Sequence, residues 1–167
     1  MRRLLIGCVL GALVVSLSAC GGSGGDSASE QTLQRKADYW EIDQIERQFH
    51  EATTKKDIEL MMSLFSPNAT LTVGGGRTAA GKKQIRQYFL TKSVFFEPTN
   101  HWISDHPAYK LRITVNGDRG TLHFECHYVD AKTKKVAVVV AADQEVARID
   151  GRWLITDMVG GSTTLRA

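Results

Sequence analysis

The chain has 167 residues, 43% of them hydrophobic and 23% charged, with a formal charge of +3. That length suits one domain around one core, and so small an excess of basic residues excludes the charged surface that nucleic acid demands. Its cysteines, at 8, 20 and 126, are too few and too scattered for a disulfide framework.

The first nineteen residues read as a leader. "MRRLLIGCVLGALVVSLSAC" opens on Arg2 and Arg3, continues through an uncharged apolar run from Leu4 to Leu17 and ends in small residues, the pattern of a secretory signal too short to span a bilayer comfortably. Its end, Leu17-Ser18-Ala19-Cys20, resembles the lipobox of bacterial lipoproteins, which implies cleavage before Cys20 and lipidation of that cysteine. Membrane attachment through Cys20 in the bacterial cell envelope is therefore expected. Loss of residues 1–19 removes two arginines and lowers the formal charge from +3 to +1. Only Cys126 is then left as a thiol, so no internal disulfide can form. The Gly/Ser-rich stretch after Cys20, "GGSGGDSASEQ", predicts a flexible tether over 20–36, followed by a single domain over 37–167.

Inside the domain the apolar period changes once. Ile42, Ile45, Phe49 and Ala52 recur at helical spacing in an otherwise charged segment, which predicts a long amphipathic helix. Asp57 is placed to cap a second, shorter helix, "IELMMSLF", which Pro67 ends. "ATLTV" reads as a strand before the turn Gly74-Gly75-Gly76, and residues 82–92 read as a third helix with Ile85, Tyr88 and Phe89 inward. Strands are predicted at 100–105, 109–117, 120–130, 135–149 and 152–159, with hairpin turns at "NGD" (116–118) and "DG" (150–151). Helices first and strands later give an α+β class, helices packed on one face of an antiparallel sheet.

"KKDIELMMSLFSPNATLTV", "GKKQIRQYF", "NHWISDHPAYKLRITVNGDRGTLHF" and "ARIDGRWLITDMV" resemble, in order and spacing, the SnoaL-like branch of the nuclear transport factor 2-like (NTF2-like) superfamily. The resemblance covers nearly the whole chain after the tether. It implies a cone, a strongly bent sheet wrapped around the long helix, with a pocket opening between the sheet's concave face and the helices. The family spans isomerases, dehydratases, cyclases and non-enzymes, so the fold leaves the activity open.

Which residues reach that pocket is a question of phase. In "TLHFECHY" the alternate residues Leu122, Phe124, Cys126 and Tyr128 form the apolar set, so His123, Glu125 and His127 face outward. Neighbours on one strand face lie about 6–7 Å apart, too far for three ligands to close on one ion, and no metal or cofactor is expected. Cys126 reads as a buried, inert thiol. His101 stands where the family often places an inward histidine and is the candidate general base; Trp102 lies beside it and His106 further on. Asp157 continues the phase of Trp153 and Ile155, which predicts that it enters the cone as orienter or acid. Asp143 is a less secure inward candidate. Tyr39 and Trp40 are placed to close the mouth, and Phe49, Tyr88, Trp102, Phe124, Tyr128 and Trp153 to line the pocket. Aligned through "DIELMMSLF", the tyrosine of ketosteroid isomerase falls at Phe49 and its base at Val73, and neither side chain can do that chemistry.

Two readings stand at this point. One is a tethered module that binds a small hydrophobic or amphipathic molecule, or a partner, without chemistry. The other is a proton-transfer enzyme of the dehydratase or cyclase type using His101 and Asp157. In "KVAVVVAADQEV" both alternating faces are apolar from Val136 to Ala142, so the outer face needs cover, and a homodimer through the sheet is expected. The leader carries the first prediction. A single acyl chain anchors weakly and stable attachment takes two signals, which a diacylated cysteine supplies. Cys20→Ser is expected to move the protein from the membrane to the soluble fraction on fractionation; retention of the variant at the membrane would overturn the lipobox reading.

Overall fold

The computed structural model describes residues 24–74, 76–104 and 108–164. The leader over 1–19, Cys20, Gly75 and His106 lie outside these residues. The order of elements is α1 (Gly24–Lys55), α2 (Ile58–Ser63), β1 (Phe65–Val73), β2 (Arg77–Ala80), α3 (Gly81–Thr91), a 3-10 turn (Val94–Phe96), β3 (Trp102–Ser104), β4 (Lys110–Asn116), β5 (Arg119–Asp130), β6 (Val136–Ile149) and β7 (Arg152–Thr164).

Helix α1 carries the predicted stripe, and Ile42, Ile45, Phe49 and Ala52 are all buried against the sheet. The helix starts at Gly24, well before the domain boundary expected near Ala37. The flexible tether predicted over 20–36 is thus helical from Gly24 onward, and residues 28–37 are exposed throughout. After the glycines the segment is rich in Ala, Glu, Gln, Leu, Arg and Lys, all strong helix formers, and it extends a helix already nucleated by packing. Lys56, in the left-handed region at φ 57°, ends α1, and the Asp57 N–H donates back to the Ala52 carbonyl at 2.8 Å. Asp57 then caps α2 as predicted, accepting from Leu60 N–H at 2.9 Å.

The seven strands form one sheet in the order β2-β1-β7-β6-β5-β3, with β4 also paired to β5. The expectation of an antiparallel sheet holds for every pair but one, since β7 runs parallel to β1. The chain's last strand inserts beside its first, a pairing that no local pattern signals. Sequence reading also missed β2, which pairs with β1 in a hairpin closed by the glycine turn, and the 3-10 turn. At the β6–β7 hairpin Asp150 and Gly151 both have positive φ, 49° and 76°, the backbone that a two-residue turn needs to match strand twist.

Burial alternates strictly along β5 and most of β6, which defines an inner face against the helices and an outer face toward solvent. The inner face meets an aromatic cluster in which Phe49 touches Phe124 and Phe89, and Phe89 touches Phe65 and Phe96, at centroid separations of 5.5–6.2 Å. Each fully buried ring of this kind contributes about 1.5–3 kcal/mol of transfer free energy. At one end of the cone Arg148 of β6 ties the layers together. It pairs with the buried Asp38 of α1, lies 3.3 Å from Asp118 in the β4–β5 turn and sits over the Trp153 ring at 5.0 Å.

Gly120 is hemmed in by its neighbouring strands and by Ile42 of α1 at this end. A Cβ there would fall 2.5 Å from the Thr114 carbonyl oxygen and 3.3 Å from both Ile42 Cδ1 and Val146 Cγ2. Gly120→Ala is expected to destabilise the domain by about 1–3 kcal/mol through overpacking, read as a lower urea midpoint with an unchanged m value; an unchanged midpoint would mean that the strand shifts freely.

Candidate functional site

The other end of the cone opens into a cavity of about 530 Å³. Its walls come from four places: Phe49 of α1; Leu71, Val73 and Gly74 of β1 and the turn after it; Tyr88, Phe89, Lys92, Ser93 and Phe95 from α3 to the 3-10 turn; and Val140 with Met158, Gly160, Gly161 and Ser162 from β6 and β7. The lining is mostly aromatic and aliphatic, with small polar groups and Lys92 among it. Such a composition suits an apolar ligand oriented by few polar contacts. Glycines at 160 and 161 leave the β7 wall without side chains between Met158 and Ser162, so backbone borders the space there directly.

Two predicted lining residues, Phe49 and Tyr88, are in this wall, and several others are not. Phe124 and Tyr128 are fully buried core residues beneath it. Trp102 packs against Phe95 at 6.2 Å between ring centroids, one layer behind the lining. Tyr39 and Trp40 do not close the mouth: both are exposed, and Trp40 borders a separate groove beside Trp153, Ser63 and Leu64. They lie at the midpoint of α1, nearer the Arg148 end of the cone, whereas the cavity is bordered by Phe49, further along the helix.

The proposed pair of His101 and Asp157 is not assembled. Asp157 was assigned inward by alternation from Trp153 and Ile155, but β7 has a bulge there. Glu145 pairs with Asp157 whereas Val146 pairs with Ile155, so Thr156 is the extra residue, and a bulge of this kind resets the strand's phase. Met158 takes the inward position. Asp157 instead shares the outer face with its register partners Thr70 and Glu145, and the Thr70 hydroxyl donates to it. His101, just before β3, is exposed, and β5 and β6 stand between β3 and β7. Asp143 is likewise an outer-face residue, 72% exposed, with its carboxylate 2.7 Å from His123 Nδ1.

His123, Glu125 and His127 face outward, as the alternation predicts. His123 bridges Asp143 and Glu125, Lys110 holds Glu125 at 2.5 Å, and Tyr109 stacks on His127 at 6.0 Å. The ammonium of Lys110, and after it His123, keeps the Glu125 carboxyl below its ordinary range. Among the described residues no group of three or more His, Cys, Asp or Glu side chains is arranged to hold a metal ion.

One polar constellation escaped sequence reading. Glu46, His50 and Thr53 are buried on α1, where they follow one another at helical spacing beside the apolar stripe, and that spacing was the available signal. His50 Nε2 lies 3.0 Å from Glu46 Oε1, while Nδ1 lies 3.1 Å from the Tyr128 hydroxyl, which also meets Thr53 Oγ1 at 2.7 Å. Cys126 Sγ approaches the same Nδ1 at 3.7 Å. Cys126 is buried as expected, and burial, with the charge of Glu46 second, pushes its thiol up to about 12, which favours the protonated form. Burial also holds the Tyr128 phenol well above its usual value. None of these groups is among the described residues that line the cavity; they fasten α1 to β5 from within.

Comparison with known proteins agrees with this architecture. The family model of the SnoaL-like domain matches residues 34–159. The chain belongs to the SnoaL-like domain family. No curated protein matches it. Among solved structures, this SnoaL-like domain is similar to hexachlorocyclohexane dehydrochlorinase LinA-type3 from Novosphingobium barchaimii, at 19% identity over 81% of this chain and 95% of that one with a TM-score of 0.65. An NTF2-like protein with a cystatin-like fold from Novosphingobium aromaticivorans gives 17%, 84%, 91% and 0.64 in the same terms. A protein of unknown function with a cystatin-like fold from Nostoc punctiforme gives 21%, 76%, 92% and 0.63. At these identities the likeness establishes the fold: the α+β, NTF2-like cone expected from the sequence.

Proposed function

We propose that this SnoaL-like domain is a binding module that takes a small hydrophobic or amphipathic molecule into its cavity without chemistry, held in the cell envelope by lipidated Cys20. The observation that carries this reading is the composition of the described lining. Apart from Lys92 and the Tyr88 phenol it consists of apolar side chains, glycines and two serines. A proton-transfer enzyme needs a base within hydrogen-bond or single-water reach of the reacting atom, and the two residues best suited by type, His101 and Asp157, stand elsewhere. Binding of this kind draws its affinity from apolar burial at about 25 cal/mol per Å², with Lys92 at hand for an anionic or carbonyl-bearing head.

The test begins with native mass spectrometry of protein purified from its own host, followed by incubation of whatever copurifies with excess protein. The compound is expected to come back unchanged. Val140→Trp, which fills the cavity beside Ser162, is expected to lower the affinity for N-phenyl-1-naphthylamine by at least about tenfold, or 1.4 kcal/mol, in a protein that remains folded by circular dichroism. Turnover of the copurified compound by the wild type, or undiminished dye binding by the variant, would overturn the proposal.

A homodimer through the outer face of the sheet belongs to the same reading. Exposed Tyr109, Val136 and Val159 share that face with basic Arg112 on β4 and acidic Asp143 and Glu145 on β6, so a two-fold contact can set the basic side of one copy against the acidic side of the other. Static light scattering at tens of micromolar (~10–50 µM) is expected to give the dimer mass, and Val159→Glu the monomer mass. A wild-type monomer at that concentration would rule the contact out.

A further inference from the structure

Between Val138 and Val146, Gln144 is the residue that breaks the apolar run on the inner face of β6, and it is 2% exposed. Its Nε2 has a single weak contact, the Met158 sulfur at 3.8 Å, and among the described residues its Oε1 has no hydrogen-bond partner. Turning the amide over does not help, since one end still meets sulfur and the other nothing. A buried amide left this way is costly, and an apolar residue of the same length would remove the cost, so its presence calls for an explanation beyond packing.

The position supplies one. Along the inner face of β6 and β7 the register pairs Val140 with Ser162, Ala142 with Gly160 and Gln144 with Met158. Val140, Ser162, Gly160 and Met158 border the cavity, which ends on Met158 with Gln144 as the next residue across. The pair just outside it, Ala142 and Gly160, has almost no side chain, and the Met158 methyl lies 3.5 Å from where a Gly160 Cβ would be. An unbranched thioether with three rotatable bonds is thus folded over a small-residue gap, in front of an amide with an unused acceptor. Methionine adapts to such a gap more readily than any branched residue.

We infer that Gln144 is the inner hydrogen-bonding anchor of the cavity, reached when Met158 swings aside, and that it selects apolar small molecules carrying a hydroxyl or N–H at their buried end. The inference rests on the reading of the cavity as a binding site and names the ligand class that site takes. The ligand's O–H donates to Gln144 Oε1, the only new polar contact required, while the rest of the molecule stays against Leu71, Phe89 and Val140. A site built to satisfy a hydroxyl rejects the analogue that lacks one, because the buried acceptor is then left unpaired again.

Paired probes test it: 1-naphthol and naphthalene, titrated at neutral pH into wild type, Gln144→Leu and Gln144→Met. Desolvation alone favours naphthalene. With the anchor in place, the wild type is expected to bind 1-naphthol at least about tenfold more tightly than naphthalene. Both variants are expected to lose that preference, keep or improve naphthalene binding, and melt at the wild-type temperature or higher. In wild-type protein labelled with ¹⁵N at glutamine, the Gln144 side-chain amide signal is expected to move with 1-naphthol and not with naphthalene, a readout that survives failure of either variant to fold. Equal wild-type affinities, a preference retained in the variants, or an unmoved amide signal overturns the anchor while leaving the cavity a binding site. Failure of both probes to bind the wild type overturns the binding reading and the anchor with it.

Discussion

The bulge at Thr156 in β7 sets what the cavity is made of. Upstream of it the inward set is Trp153 and Ile155; downstream it is Met158, followed by Gly160 and Ser162 in register with Ala142 and Val140. One inserted residue therefore exchanges an acid for a thioether at the cavity's inner end and places glycine backbone along its wall. Without it Asp157 would enter the cone and the site would carry a carboxylate. With it, the carboxylate accepts from Thr70 on the outer face, and the cavity keeps its apolar character.

The rest of the cone divides its labour by position. At one end Arg148 gathers Asp38, Asp118 and the Trp153 ring, and Gly120 lets Ile42 of α1 rest on the sheet. In the middle, Glu46, His50, Thr53 and Tyr128 fasten helix to strand through buried polar contacts, which are costly to break singly because each leaves a partner without water. Toward the open end such fastening gives way to Phe49, Phe89 and Phe95 on one side and the short side chains of β7 on the other. Non-directional apolar packing dominates there, and that is where the space lies.

Sequence reading recovered what periodicity encodes. The stripe of α1, the Asp57 cap, the outward triplet at 123, 125 and 127 and the burial of Cys126 all follow from local spacing and came out as expected. The α+β class came from the order of helices and strands, and the cone from the family resemblance that motif order carries. What escaped depended on non-local pairing. The parallel partnership of β1 with β7 joins opposite ends of the chain, and the bulge exists only as an offset against the register of β6. Alternation extrapolated through Thr156 puts Asp157 on the wrong face, whereas Asp143, an inward candidate because it follows an apolar run, stands outward between the inward Ala142 and Gln144. Sequence reading did not single out Gln144, although its phase with Val140 and Ala142 was the available signal. The early start of α1 is a different lesson, since composition read as a tether became helix once the chain had a packed helix to continue.

That early start has a mechanical consequence. A coil converts added residues into slack, whereas a helix converts them into displacement and rotation, at 1.5 Å and about 100° each. The exposed stretch of α1 over residues 28–37 is continuous with the helix that the sheet grips at Ile42, so it works as a shaft keyed to the cone. The helix's first residue, Gly24, is held at a set distance from the cavity and on a set bearing around the helix axis. Removing two residues from the shaft would draw that starting point in by only about 3 Å yet swing it by about 200° around the axis, to nearly the opposite side of the helix from the one it now faces.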